Sequence, residues 1–312
     1  MLKEKLISAG AEKLADILLS LHESNKDLQK QLNIIFAGLD DDPKKIRSII
    51  QKEISALKRS TKFIDYYEAE ALSDRLNQLR LRIANDLNAK SPALAFELML
   101  AFLDLHENTL NRADDSNGNV GGVFREACED LGKISENVHA PISTIVELVF
   151  SRFTHNHFGI YDQLIWNFKN TLKNEGLDLL QDKLEKYTDT NDGIKVTLGL
   201  MSIADCRKDV DAYIKACSFI GPLSNYDYLA IAKRLIDHWR AAEALEWIDK
   251  VDERWEQDKH SLRIKALELN GNHKEAQDEG ISWLYQSLNP EIYGDILKHS
   301  KPESKESTHK CN

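Results

Sequence analysis

The chain has 312 residues, 42% hydrophobic and 29% charged, with 41 basic and 51 acidic side chains and a net charge of −10. That length exceeds what one core comfortably organises, and the balance of apolar and charged residues excludes a wholly disordered chain or a membrane-embedded one. The acidic surplus repels phosphate backbones and anionic lipid, while only 14 glycines and 6 prolines argue against a turn-rich β-sandwich.

From the N-terminus, the first apolar residues are interrupted by Glu4, Glu12, Lys13 and Asp16, which does not fit a secretory or transit segment. Asp42-Pro43, Ser91-Pro92 and Asn289-Pro290 each set a capping residue before a proline, the signature of a helix start, and Pro141 opens another helix. Ile46, Ile49, Ile50, Ile54 and Leu57 form one stripe, as do Ile142, Ile145, Val146, Val149, Phe150 and Phe153, and then Leu164, Ile165, Phe168 and Leu172. Asp65 is placed to cap a helix beginning near Tyr66, with Phe63 stapled against it. Alternation of the β kind is nowhere sustained, so the expected fold class is all-α. Pro43, Pro92 and Pro141 recur at equal intervals with room for two helices each, which suggests an α-solenoid of helical hairpins.

The last third carries a stronger repeat. At an offset of 32, Ile203, Leu235 and Leu267 align, as do Asp211, Glu243 and Glu275, Ala212, Ala244 and Ala276, and the apolar Phe219, Val251 and Trp283. Gly271 falls at an inter-helix turn, and this acidic-alanine pattern is tetratricopeptide-like. Trp239, Trp247, Trp255 and Trp283 crowd the same region, mostly as core, with one or two available as interface anchors. The expected organisation is a hairpin array over 1–188, repeats over 189–300 and a disordered polar tail over 301–312.

Few residues suggest chemistry. Asp114, Asp115 and Ser116 precede a glycine-rich turn running to Phe124, which reads either as a capped connection between helices or as a binding loop. It does not match a calcium loop, a phosphate loop or a dinucleotide turn. His155 and His157, with Asp162, are too few for a metal site without further ligands in register, and His22-Glu23 and His106-Glu107 lack the second histidine of a zincin helix. The candidate binding surface is therefore Asp65, Tyr66, Asp114, Asp115, Ser116, His157, Tyr161 and Asp162. Residues 43–90 hold eleven basic against six acidic side chains, a surplus of five, with Lys44, Lys45, Arg47, Lys52, Lys58 and Arg59 as a candidate basic patch. Cys128, Cys206, Cys217 and Cys311 form no C-x-x-C pair, so a zinc ribbon or disulfide framework is not expected and a reducing cytoplasm is.

The segments SAGAEKLADILLSL (8–21), KFIDYYEAEALSDRLNQL (62–79), NRADDSNGNVGGVFREACEDLG (111–132), HFGIYDQLI (157–165) and AAEALEWID (241–249) resemble a bacterial family of uncharacterised helical proteins. Some relatives carry a SWIM-type zinc finger, whose cysteine and histidine set this sequence lacks. The resemblance implies an all-helical repeat protein with no assigned activity. The functional expectation is a non-catalytic scaffold or adaptor for another protein, with no cofactor and no membrane. The alternatives are nucleic-acid association through 43–90, disfavoured by the net charge, and a metal-dependent hydrolase using Asp114, Asp115 and His157.

Overall fold

The computed structural model describes residues 2–24, 42–187, 193–219, 221–252 and 255–287. The Asn289-Pro290 cap, Cys311 and the tail over 301–312 lie outside them. Among the described residues the protein is all-helical and has no β-strand; the sole strand-like pairing is an isolated parallel bridge between Ile64 and Ala113. The chain divides into two compact units, residues 1–180 and 181–312.

In the first unit, α1 (Leu2–Ala9) and α2 (Ala11–Ser24) form a hairpin that turns at Gly10, where φ is 79°. α3 (Pro43–Lys58) starts where Asp42 accepts the Lys44 N–H at 2.9 Å and buries Ile46, Ile50, Ile54 and Leu57, the stripe the spacing predicts. α4 (Tyr66–Leu81) runs directly into a π-helix, Arg82–Leu87, whose wider winding turns Ile83 and Leu87 into the core. α5 (Pro92–Leu103), the short α6 (His106–Leu110), α7 (Asn119–Ser135) and α8 (Ile142–Thr154) follow. Pro141 stands at the N-cap of α8 rather than inside its first turn. The stripe Leu164, Ile165, Phe168 and Leu172 is buried as expected but on two segments, α9 (Leu164–Asn167) and α10 (Lys169–Glu185), with a backbone break at Lys173 where φ is 50°. α7 is the spine of this unit and packs against α4, α5, α6 and α9. Its apolar face, Val120, Val123, Phe124, Ala127, Cys128 and Leu131, is buried because it meets neighbours on several sides.

The second unit contains α11 (Gly193–Arg207), α12 (Val210–Cys217), α13 (Asn225–Asp237), α14 (Ala241–Ile248), α15 (Glu256–Leu269) and α16 (His273–Ser287). Each packs against the next in the chain. Three of its turns share one geometry. Lys208, Trp239 and Gly271 have φ of 57°, 62° and 82°. The following amides donate back to Ala204, Leu235 and Leu267 at 2.9, 2.9 and 2.8 Å, closing Schellman turns that satisfy helix-end carbonyls.

This pattern corrects the register read from the sequence. Counting from the left-handed residue, Ala244 and Ala276 are matched by Tyr213, not Ala212, and Leu235 and Leu267 by Ala204, not Ile203. All of these equivalent side chains are buried. The first spacing is one residue shorter than the second, because hydrogen bonding rather than residue count sets where each helix ends. The same shift takes Phe219 out of line with Val251 and Trp283, and Phe219 is exposed. Of the tryptophans in this unit, Trp283 is buried, whereas Trp239 is 81% exposed.

Candidate functional site

Two segments singled out in the sequence meet through the bridge. The Ile64 N–H donates to Arg112 O and the Asp114 N–H donates to Ile64 O, both at 2.9 Å, while the Arg112 guanidinium donates to Lys62 O at 3.0 Å. Burial and the nearby Arg75 charge pull the Arg112 pKa below its ordinary value. Asp65 accepts the N–H groups of Tyr67 and Glu68 at 3.0 and 2.9 Å, so it caps α4 as its spacing predicts. Phe63 does not staple against that helix; it is 64% exposed, because Ile64 is the residue the bridge draws inward. Tyr66 and Tyr67 are exposed and pack edge to face at 5.7 Å.

The Asp114 carboxylate accepts the backbone and hydroxyl protons of Ser116. Asp115 reaches the start of α7, where its two oxygens accept the Val120 and Gly121 N–H groups at 2.8 Å each. Gly118, at φ 73°, makes the turn that lets Asp115 do this. A carboxylate of this chain therefore occupies the helix N-terminus that an anion would otherwise take, and the loop serves as a capped connection. Asp115→Ala should lower stability by about 1–2 kcal/mol, because two helix-end donors lose their acceptor. Urea denaturation with an unchanged m-value checks this, and a neutral result would mean the cap is not needed.

The second cluster, His157 to Asp162, lies in the segment between α8 and α9. His157 and Asp162 are exposed, and the Asn156 amide donates to Asp162 at 2.6 Å while its oxygen accepts the Tyr161 N–H at 3.2 Å. Tyr161 corrects the expected surface: it is 1% exposed, with its hydroxyl 2.8 Å from the Arg152 guanidinium and its ring edge-on to buried His106. Arg152 also pairs with Asp104 at 2.6 Å. Burial pushes the Tyr161 hydroxyl up to about 12, only partly offset by Arg152, so it stays neutral and holds structure together. The Cys128 thiol, likewise buried, is pushed up to about 12 and is no thiolate nucleophile near neutrality. Among the described residues no three His, Cys, Asp or Glu side chains gather as a metal-holding group.

Between α7 and residues 159–170 runs a groove of about 710 Å³, lined by Arg125, Glu129 and Lys133 on one wall and Asp162, Trp166 and Asn170 on the other. The sequence reading missed it, although Arg125, Glu129 and Lys133 stand at i, i+4, i+8 and share one helix face. Trp166 is 41% exposed, with the Lys169 ammonium 3.4 Å from its ring centre. Gly132 pins the walls together: a Cβ there would stand 2.3 Å from the Asn167 carbonyl oxygen. Alongside, Ser135 and Thr171 hydroxyls lie 2.6 Å apart, and Asn170 donates to Glu136 at 2.8 Å.

The basic patch combines exposed side chains with one held in an ion pair. Lys44, Lys45, Lys52, Lys58 and Arg59 are exposed, but Arg47 pairs with Glu97. Elsewhere in residues 43–90, Lys62 pairs with Glu68 at 2.5 Å, Arg75 with Glu53, and Arg80 with both Glu126 and Asp130. No helix is long and apolar enough to cross a membrane among the described residues.

No curated protein and no solved structure is significantly similar to the chain. A family model, in contrast, matches it over residues 1–193 and again over 185–300. The chain thus belongs to the family of unknown function DUF6880.

Proposed function

We propose that this chain is a non-catalytic scaffold or adaptor, an α-solenoid of helical hairpins with tetratricopeptide-like units in its C-terminal third, that binds another protein in the cytoplasm of a bacterial cell. The observation that carries this reading is the groove beside α7, which offers a half-exposed indole and charged groups of both signs in a volume of about 710 Å³. That mixture suits a peptide segment better than a phosphate backbone, which calls for an uncompensated run of cations. The repeated Schellman turns support the array, since stacked helix pairs need the same reversal each time.

Nucleic-acid association is the weaker reading, because Arg47, Lys62, Arg75 and Arg80 are held in ion pairs and the net charge is −10. A photo-crosslinking residue placed at Gln163 in the groove, and separately at Lys58 on the basic hairpin, separates the two in the native host. The expected result is a discrete protein adduct from position 163 that nuclease leaves intact. Adducts from position 58 alone, removed by nuclease, would replace this reading with the other; no adduct from either position would end both.

A further inference from the structure

The pair Asn-Gly occurs twice in the chain, at Asn117-Gly118 ahead of α7 and at Asn270-Gly271 in the last Schellman turn. In this pair an asparagine side chain is most open to attack by its own backbone, because glycine has no Cβ to shield the nitrogen that follows. That nitrogen loses its proton and bonds to the asparagine Cγ, the side-chain nitrogen leaves as ammonia, and a five-membered imide remains. Water then opens the imide at either carbonyl to give aspartate or isoaspartate. Both asparagines are exposed, and a Cβ built on either glycine would meet nothing within 4 Å, so both sites have room for the ring.

What separates the two is how the backbone is held. The Asn270 turn is tied twice to α15, by the Gly271 N–H donating to Glu268 O at 3.0 Å and the Asn272 N–H to Leu267 O at 2.8 Å. The Asn270 side chain acts there as a donor, to the Asn272 side-chain oxygen at 3.4 Å. At Asn117 a single bond, from the Gly118 N–H to Asp115 O at 2.8 Å, holds the attacking nitrogen. The N–H two residues on, that of Asn119, donates instead to the Asn117 side-chain oxygen at 3.1 Å. A donor placed on that oxygen polarises Cγ and stabilises the negative charge the oxygen acquires on attack. Ring closure thus breaks one backbone hydrogen bond at Asn117 and two at Asn270.

We propose that Asn117 is a self-modifying site, which deamidates ahead of Asn270 without an enzyme, and that its isoaspartate product loosens the start of α7. The Asp115 carboxylate reaches across this residue to accept the Val120 and Gly121 N–H groups at 2.8 Å each. Isoaspartate routes the backbone through the former side chain and adds a methylene between Asp115 and those amides, so cap and helix fall out of register. The aspartate product keeps the backbone length and sets a carboxylate before the helix N-terminus, where the dipole favours it. The two products of one reaction therefore act in opposite directions.

The test ages the full chain at mildly alkaline pH, folded and in urea, and maps its peptides by mass spectrometry that resolves isoaspartate. In urea the two asparagines should react at similar rates. In the folded chain Asn117 should react roughly fivefold faster than Asn270, the factor expected for one further hydrogen bond to break. The thermal midpoint of the wild type should fall as isoaspartate accumulates. Asn117→Gln, whose longer side chain would have to close a six-membered ring, should hold its own midpoint over the same ageing, and fresh Asn117→Asp should match or exceed the fresh wild type. Equal or faster reaction at Asn270 in the folded chain would overturn the proposal, as would an Asn117 that stays intact while the chain in urea reacts. A midpoint that falls equally in Asn117→Gln would sever the modification from α7. Fresh Asn117→Asp as unstable as the aged wild type would also overturn it, by assigning the loss to charge rather than to the added methylene.

Discussion

Gly132→Val is expected to lower the stability of the first unit by about 3 kcal/mol or more, at the upper end of what overpacking produces. The competing effect has the opposite sign. Removing glycine from a helix interior ordinarily stabilises by ~0.5–1 kcal/mol, through the entropy of the unfolded chain. Here the added Cβ would lie 2.3 Å from the Asn167 carbonyl oxygen and 2.8 Å from its carbon, contacts with backbone that no rotamer change relieves. α7 and α9 would have to separate, at the expense of the Ser135–Thr171 hydrogen bond and the contact from Asn167 to the Cys128 sulfur. A shift of the urea midpoint measures the effect. Gly132→Ala should also destabilise, though less, and an alanine variant more stable than the wild type would show that the two helices have room to spare. Crosslinking from Gln163 should be lost with the valine, since the groove walls are the elements forced apart.

Phe124→Ala should be of similar size, about 3–5 kcal/mol, for the opposite reason. Phe124 is fully buried on α7, with its ring centre 5.3 Å from that of Phe102 and 6.3 Å from that of His106. Truncation leaves a void in the middle of this aromatic group, where α5, α6 and α7 meet and none can collapse inward without losing contacts elsewhere. Phe124→Leu keeps most of the volume and should cost about 1–1.5 kcal/mol. Denaturant midpoints for the pair test the packing explanation, and equal losses from alanine and leucine would show that ring geometry rather than volume matters at this position.

Local signals in the sequence were enough for much of the architecture. The isoleucine stripe of α3 faces the core, Asp42 and Asp65 cap the helices they precede, and Gly271 takes the left-handed turn residue, because each of these depends on neighbours within a few positions. Where the reading fell short, the cause lies at longer range or in hydrogen bonding. Nothing near Tyr161 signals that its hydroxyl will find Arg152, so a residue that looked like surface is core. The period of 32 counts residues, whereas the first turn closes one residue early, so Tyr213 rather than Ala212 takes the place of the small side chain. The groove escaped notice because its two walls are separate helical segments whose approach depends on one glycine, and helical periodicity describes a single element at a time. Residues 62–65 and 111–116 each looked like a local cap, and each is one; that they also pair with each other is a property of the tertiary fold.

That pairing makes a closed loop of the chain from Ile64 to Ala113. Two backbone hydrogen bonds hold the ends of the stretch side by side, with α4, the π-helix, α5 and α6 between them, so the stretch leaves the molecule where it enters. A stretch whose two ends coincide can grow or shrink at an outer bend such as the one at Lys90 without displacing the helices before and after it. Natural length variation within this family should therefore be tolerated inside the stretch more readily than at its two joined ends.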